Sequence, residues 1–185
     1  MFCDTHWREG LGGKTMVSLV VPNILYKDTY LQSLKEFHNE GRDLNIGYNE
    51  ISNDFSSFIK RINDDEIGIN LAPGWVPATV LWLVDSDSLV GWLSIRHYLT
   101  QQLRMYGGHI GYEIKPSMRN KGYGKKILAL GLLETEKIGL KNVLITCDID
   151  NIGSKKIIEY NGGKLEDMVE VPGVVGKRMR YWIDI

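Results

Sequence analysis

The chain predicts one α/β domain of the α+β kind, a mixed and mostly antiparallel central sheet of about seven strands flanked by helices. Three observations predict it. Apolar residues change their spacing along the chain, from the three-to-four step of a helix to the two-step or continuous pattern of a strand and back again. The resulting order is strand, two helices, three strands, helix, strand, helix, two strands. No composition shift, linker or internal repeat interrupts that order.

The elements follow in sequence. From Met16 the run VSLVV reads as a first strand, stopped by Pro22. Residues 24–40 carry Leu25, Leu31, Leu34 and Phe37 at helical spacings and end at Gly41. A second helix is predicted over 52–66, with Phe55, Phe58, Ile59 and Ile62 on its apolar side and Ser52 or Asn53 as its cap. LAPGWVP, residues 71–77, is a loop punctuated by prolines and a glycine. TVLWLV (79–84) and LVGWLSI (89–95) are strands, and the polar DSDS between them fits a hairpin turn. A ten-residue polar loop then leads to the strand GHIGYEI, 108–114. The helix 122–138 is capped by Gly139, NVLITC (142–147) is a buried strand, and a short helix spans 152–160. KLEDMVEV and KRMRYWIDI, on either side of VPGVVG, form terminal paired strands.

Composition narrows the function. With 185 residues the chain buries roughly 70% of its unfolded surface and needs no disulfide or metal to fold. Its 22 basic and 23 acidic side chains leave a net charge of −1, which argues against nucleic acid or an anionic membrane as partner. No apolar run approaches the ~18 residues of a membrane span. Cys3 and Cys147 make neither a disulfide framework nor a metal-ligand spacing, and their use suits a reducing cytoplasm. Residues 1–15 lack periodicity and the apolar core of a signal peptide, so they read as a tag or a disordered extension, with Met16 as the natural initiator. Nothing near Cys3 and His6 completes a metal site, and no metal is expected. The domain is taken as 16–185.

The chemistry concentrates in IKPSMRNKGYGKK, residues 114–126. A strand ends at Pro116, two glycines follow one residue apart, and a helix begins. Residues 115–126 hold five basic side chains and no acidic one. Gly122 and Gly124 let the chain turn and let a ligand approach main-chain amides. The unpaired N–H groups of the helix start favour an anion at the same spot, with Arg119, Lys121, Lys125 and Lys126 adding charge. A phosphate or pyrophosphate fits this pattern. The Gly-Lys-Ser/Thr ending of a Walker loop and the third glycine of a dinucleotide fingerprint are both missing.

Arg119-Asn120-Lys121-Gly122-Tyr123-Gly124 resembles at every fixed position the Arg/Gln-x-x-Gly-x-Gly/Ala signature of the GNAT superfamily of acyl-CoA-dependent N-acyltransferases. The order of elements is similar over about 170 residues, from residue 17 to residue 183. The blocks IGYEIKPSMRNKGYG and TCDIDNIGSKKIIEYNGG look most like a bacterial branch of predicted acetyltransferases. The resemblance implies acetyl-CoA as co-substrate, its pyrophosphate held by the amides of residues 120–124 with the Arg119 region and Lys125. It implies a pantetheine arm paired with the main chain at Ile114, in a V-shaped splay between the fourth and fifth strands. Asn151 matches an asparagine that contacts the pantetheine, and Ser154 the small residue three positions on. Asn151 is equally a plain helix cap. The family often places a tyrosine seven residues after that asparagine, where this chain has Ile158. Tyr160 lies ~200° further round the helix and does not replace it.

For a general base, Glu113 and His109 share strand parity and point to one face if no bulge intervenes. Asp148 and Asp150 follow the fifth strand and either attract a cationic amine or cap the next helix. Trp75, Trp82 and Trp92 line an aromatic pocket or pack the core, the latter being the ordinary role. The loops 68–77 and 99–108 should border the acceptor side. The activity implied is acetyl transfer to a primary amine of a small molecule or a peptide, in a cytoplasmic enzyme for which a homodimer stays open. Two other readings survive at this level. One is a non-catalytic acyl-CoA-binding sensor or scaffold; the other is a phosphate-binding α/β module without acyl chemistry.

Overall fold

The structure, a computed structural model, describes residues 17–173 and 175–185. Residues 1–15, Met16 and the reading of Cys3 and His6 lie outside the described residues. Strands β1 (Val17–Val20), β2 (Ala78–Asp85), β3 (Ser88–Arg96) and β4 (Ile110–Ile114) form one antiparallel sheet in that spatial order. Strands β5 (Asn142–Asp148), β6 (Lys164–Glu170) and β7 (Lys177–Asp184) form a second, in the order β5-β7-β6. The expected central sheet is thus divided four and three, and β4 and β5 are the edges that meet. One bridge, Gly108 with Ile145, is the only ladder contact between them among the described residues. Beyond it the two strands part.

Helices α1 (Lys27–Asn39), α2 (Tyr48–Asn53) and α3 (Phe55–Glu66) cover one face of the first sheet. There Tyr30, Leu34 and Phe55 pack against Trp82 and Leu89, with Trp82 only 1% exposed. The opposite faces of both sheets share one core with α5 (Tyr123–Lys137) and α6 (Ile152–Tyr160). Leu93, Ile95 and Ile110 from the first sheet, Val143 and Ile145 from the second, and Ile127, Leu128 and Ile158 from the helices are fully buried in it. Burial of side chains this size contributes roughly 1.5–3 kcal/mol each, so the shared core holds the sheets together although their strands barely pair. Among the described residues no helix is long and apolar enough to cross a membrane.

Several local expectations are corrected. The helix predicted over 52–66 is two helices: Asp54, at φ −134°, breaks it, and its carboxylate caps α3 by accepting from Ser57 N at 3.0 Å. Asn53, a candidate cap, is instead the last residue of α2. The polar loop after β3 contains a short helix, α4 (Gln101–Met105), capped by Thr100. The strand predicted from 108 begins at Ile110, because Gly107 and Gly108 take positive φ and turn the chain. Trp82 and Trp92 belong to the core cluster around Tyr30, whereas Trp75 is exposed.

Gly108 sits in the seam. A Cβ there would lie 2.4 Å from the Leu144 carbonyl oxygen, and its φ is +64°. Gly108→Ala is therefore expected to destabilise the fold by about 2–4 kcal/mol, through backbone strain and a clash that only movement of the strands relieves. A thermal melt checks this, and a midpoint within 2 °C of the parent, roughly the shift of 1 kcal/mol at this size, would contradict it.

Candidate active site

The site is built from the seam upward. His109 N donates to Leu144 O at 2.7 Å, and Leu144 N donates to His109 Nδ1 at 2.9 Å. The imidazole thus stands where a strand carbonyl would normally accept. His109 is 6% exposed, and burial, with the charges of Arg104 and Arg96, lowers its pKa to about 4. With Nδ1 accepting, the neutral ring carries its proton on Nε2. His109 has no free basic nitrogen to offer, and its expected role as a base gives way to that of joining the two sheets.

β4 leaves the seam as a regular strand, paired without a bulge from Ile95↔Ile110 to Gly91↔Ile114. His109 O accepts from Arg96 N and Lys115 N donates to Val90 O, so odd-numbered main-chain groups face β3. By the alternation of an antiparallel ladder, the N–H and C=O groups of Ile110, Tyr112 and Ile114 face the gap toward β5. These are donors and acceptors for an extended chain laid beside the strand. Arg119 Nε, however, already donates to Ile114 O at 3.1 Å.

Arg119 is otherwise turned away from the helix start. Its guanidinium meets both Glu40 oxygens, at 2.9 and 2.8 Å, and lies over the Phe37 ring. Lys115, 7% exposed, pairs with Glu36 at 3.2 Å. Burial works to raise the Glu36 carboxyl, but hydrogen bonds from the Ser117 amide and hydroxyl, together with Lys115, outweigh it and hold the group below its ordinary range. Two of the five basic residues therefore anchor the loop to α1. Lys121, Lys125 and Lys126 remain at the helix start, with Lys125 Nζ 3.8 Å from the Tyr160 ring centroid.

The loop itself has the geometry of an anion cradle. Asn120 at φ 60° and Gly122 at φ 87° both take the left-handed region, and Gly122 caps α5 without any side-chain hydrogen bond. The intrahelical ladder begins at Lys126 N to Gly122 O, so the amides of Tyr123, Gly124 and Lys125 are unspent. The helix dipole adds to their attraction for negative charge. Tyr123 contributes only its amide, since its hydroxyl bonds Asp85 at 2.5 Å. Gly124 has a different reason to be glycine than ligand approach: a Cβ there would lie 2.4 Å from Ile157 Cδ1, so it lets α5 and α6 pack closely.

On the far side of the gap, Asn151 caps α6, its Oδ1 accepting from Ser154 N at 2.9 Å. Ile158 is fully buried in the core. Asp148 pairs with Arg178 at 3.1 Å.

Glu113 occupies the opposite face of β4, toward α1. Arg42 donates to its Oε1. Burial and then the charge of Asp43 raise its carboxyl to about 7, against the opposing pull of Arg42 and Arg119. Asp43, at φ 53°, is held by its carbonyl, which lies 3.1 Å from His38 Nε2. Glu113 Oε2 and Asp43 Oδ2 are both buried without a donor, and the charge of Asp43 favours the protonated form of Glu113. Arg42 and Asp43 carried no signal in the sequence, because 71 residues separate Arg42 from Glu113. Among the described residues no cluster of His, Cys, Asp and Glu suits a metal ion.

A split pair of strands thus stands beside a helix start that no side chain caps. The family model described as "Acetyltransferase (GNAT) domain" matches residues 34–164, more than half of the chain, and the protein belongs to that family. No curated protein sequence matches it. Among solved structures it resembles the microcin C7 self-immunity acetyltransferase MccE in complex with acetyl-CoA and AMP, at 18% identity and TM-score 0.67, over 91% of this chain and 92% of that one. It resembles RimL, a ribosomal L7/L12 alpha-N-protein acetyltransferase in complex with coenzyme A, at 15% identity and TM-score 0.65, over 94% and 96%. A spermidine N-acetyltransferase SpeG chimera from Vibrio cholerae and hSSAT matches at 14% identity and TM-score 0.62, over 91% and 95%. At these identities the likeness is one of fold.

Proposed function

We propose that residues 16–185 act as one acetyltransferase domain that moves an acetyl group from acetyl-CoA to a primary amine by direct attack in a ternary complex. The observation that carries this reading is the gap between β4 and β5, lined by main-chain groups of β4 that pair with no strand and overlooked by a start of α5 that no side chain caps. The amides of Tyr123, Gly124 and Lys125 hold the diphosphate, with Lys121 and Lys125 beside it. Tyr112 and Ile114 offer main-chain partners for the pantetheine amides, and an N–H of this strand receives the charge that develops on the thioester oxygen. Asn151 and Ser154 border the gap from α6.

Glu113 serves as proton acceptor for the amine, directly or through one water. An alkyl ammonium group, with pKa near 10, reaches the site charged and must lose a proton before attack. A carboxylate of pKa about 7 is matched to that task at neutral pH. Asp43 keeps it there, and Arg42 orients it. The similar structures are named for acceptors as different as a ribosomal protein N-terminus and spermidine. The acceptor here is accordingly given as an amine of a small molecule or a peptide. The buried free thiol of Cys147 suits a reducing, cytoplasmic setting.

Coenzyme A at ~100 times its Kd is expected to stabilise the protein by about 2.7 kcal/mol in a thermal melt. Thiol release from acetyl-CoA should then appear with at least one member of an amine panel. No shift with coenzyme A would refute the reading; a shift without turnover for any amine would leave an acyl-CoA-binding protein in its place.

A further inference from the structure

Both sheets give one face to the shared core. Val143, Ile145 and Cys147 on β5 and Met179, Tyr181 and Ile183 on β7 belong to it, so Thr146, Asp148, Arg178 and Arg180, which alternate with them, project from the other face. Glu113 leaves β4 on the matching side. Packed side chains close the α5–α6 side, so an amine that meets Glu113 approaches over this other face. The loop around α4 is pinned there. Gly107 N donates to Thr146 Oγ1 at 3.0 Å, and Arg180 Nη1 donates to Arg104 O at 3.2 Å.

The two arginines of β7 differ in what they have left to offer. Arg180 is spent, its Nε and Nη2 on the two Asp167 oxygens at 2.7 and 2.5 Å. Arg178 is stacked instead, its guanidinium carbon 4.2 Å from the Tyr106 ring centroid. Its side chain is 15% exposed, and Asp148 Oδ1 lies 3.1 Å from Nε but out of line with that N–H. Among the described residues neither Nη group finds an acceptor, and neither is shut off from solvent. A largely desolvated guanidinium held flat on a ring, with its fork free, suits a planar anion. Asp148 beside it and Glu113 across the gap favour a single negative charge over the two of a phosphate.

We propose that the acceptor carries a carboxylate as well as its amine, and that Arg178, stacked on Tyr106, receives the carboxylate while Glu113 meets the amine. This rests on the acetyl-transfer reading above and narrows its acceptor to amino acids and short peptides. Opposite charges at the two ends of such a molecule turn it one way round, ammonium toward Glu113 and carboxylate toward Arg178. No bond is made or broken at Arg178, which sets binding and orientation.

The test uses the full chain, acetyl-CoA and acceptors in isosteric pairs: glycine, β-alanine, 4-aminobutyrate and glycylglycine, each against its own carboxamide. In the parent at least one carboxylate should exceed its amide in kcat/KM by about tenfold or more. Arg178→Met should lower that ratio by about 10–100-fold, the span of a charge-assisted hydrogen bond, with the loss falling on KM. Comparing ratios between parent and variant cancels the different basicities of the amines, and a merely structural role would slow both members alike. If Arg178→Met does not fold, two milder variants carry the test. Arg178→Lys keeps the charge but loses the fork, Tyr106→Leu removes the platform, and each should lower the ratio several-fold. No carboxylate preference in the parent, or one that the variants keep, would overturn the proposal while binding of coenzyme A and turnover of the amides left acetyl transfer standing. A preference for O-phosphoethanolamine over β-alanine would overturn it in favour of a phosphate. Failure of coenzyme A to bind the parent, or turnover of no amine, would bring down the acetyl-transfer reading and this proposal with it.

Discussion

Glu113→Gln is expected to lower kcat by about 10²–10⁴-fold, the usual span for removing a positioned base, with Kd for coenzyme A unchanged. The two effects separate because Glu113 lies on the α1 face of β4, away from the start of α5. The pH profile is the sharper measurement. The parent should gain activity as pH rises through about 7, where Glu113 ionises, and the variant should lose that limb. Stability should respond with the opposite sign. The folded protein holds the Glu113 proton up to about 7 while the unfolded chain releases it near 4.5. The stability this group contributes is therefore present below 4.5 and is lost as pH rises through 7. In Glu113→Gln that part of the pH dependence should vanish. A variant that turns over at the parent rate from pH 6 to 9 would remove Glu113 from the chemistry.

Gly122→Glu should raise Kd for coenzyme A by about 100-fold or more. Two like charges ~4 Å apart in a partly solvated site repel by roughly 4 kcal/mol, and a glutamate at φ 87° adds backbone strain. Open space around Gly122 means the side chain clashes with nothing, so the fold should persist. Gly122→Asn is the control, since asparagine tolerates the left-handed region and brings no charge. Its affinity should stay within a few-fold of the parent in calorimetry. Unchanged affinity in Gly122→Glu would place the diphosphate elsewhere. Gly124 does not serve for this experiment, because any Cβ there meets Ile157 before it meets a ligand.

What the sequence could show follows from the range of the interactions involved. Local periodicity is enough to read α1, α5 and the β2–β3 hairpin, and the two-residue alternation that puts Glu113 on one face of β4 holds because no bulge breaks its ladder. Asp54 is not legible as a helix break, since nothing in FSSFIKRI announces that the preceding turn belongs to another helix. The basic segment misled in a more instructive way. Composition counts five positive charges, but whether each faces a ligand or a carboxylate depends on Glu36 and Glu40, which the fold brings from 79 residues or more away. Arg42 and Asp43, which tune Glu113, arrive by the same long-range route. Gly124 shows only a local role in a turn at the level of sequence, because its packing partner Ile157 belongs to a different helix.

The seam at His109 carries a consequence of its own. Most strand contacts use main-chain atoms that no ordinary acidity can alter, yet here an imidazole lone pair receives the Leu144 amide. Because burial depresses that ring to about 4, acidification below 6.5 draws on folding energy, and near 4 a proton takes the lone pair itself. The clasp between the two halves is then a chemical latch with a threshold, and acid unfolding should begin by parting the walls of the cleft, with the Leu144 amide among the first to exchange with solvent.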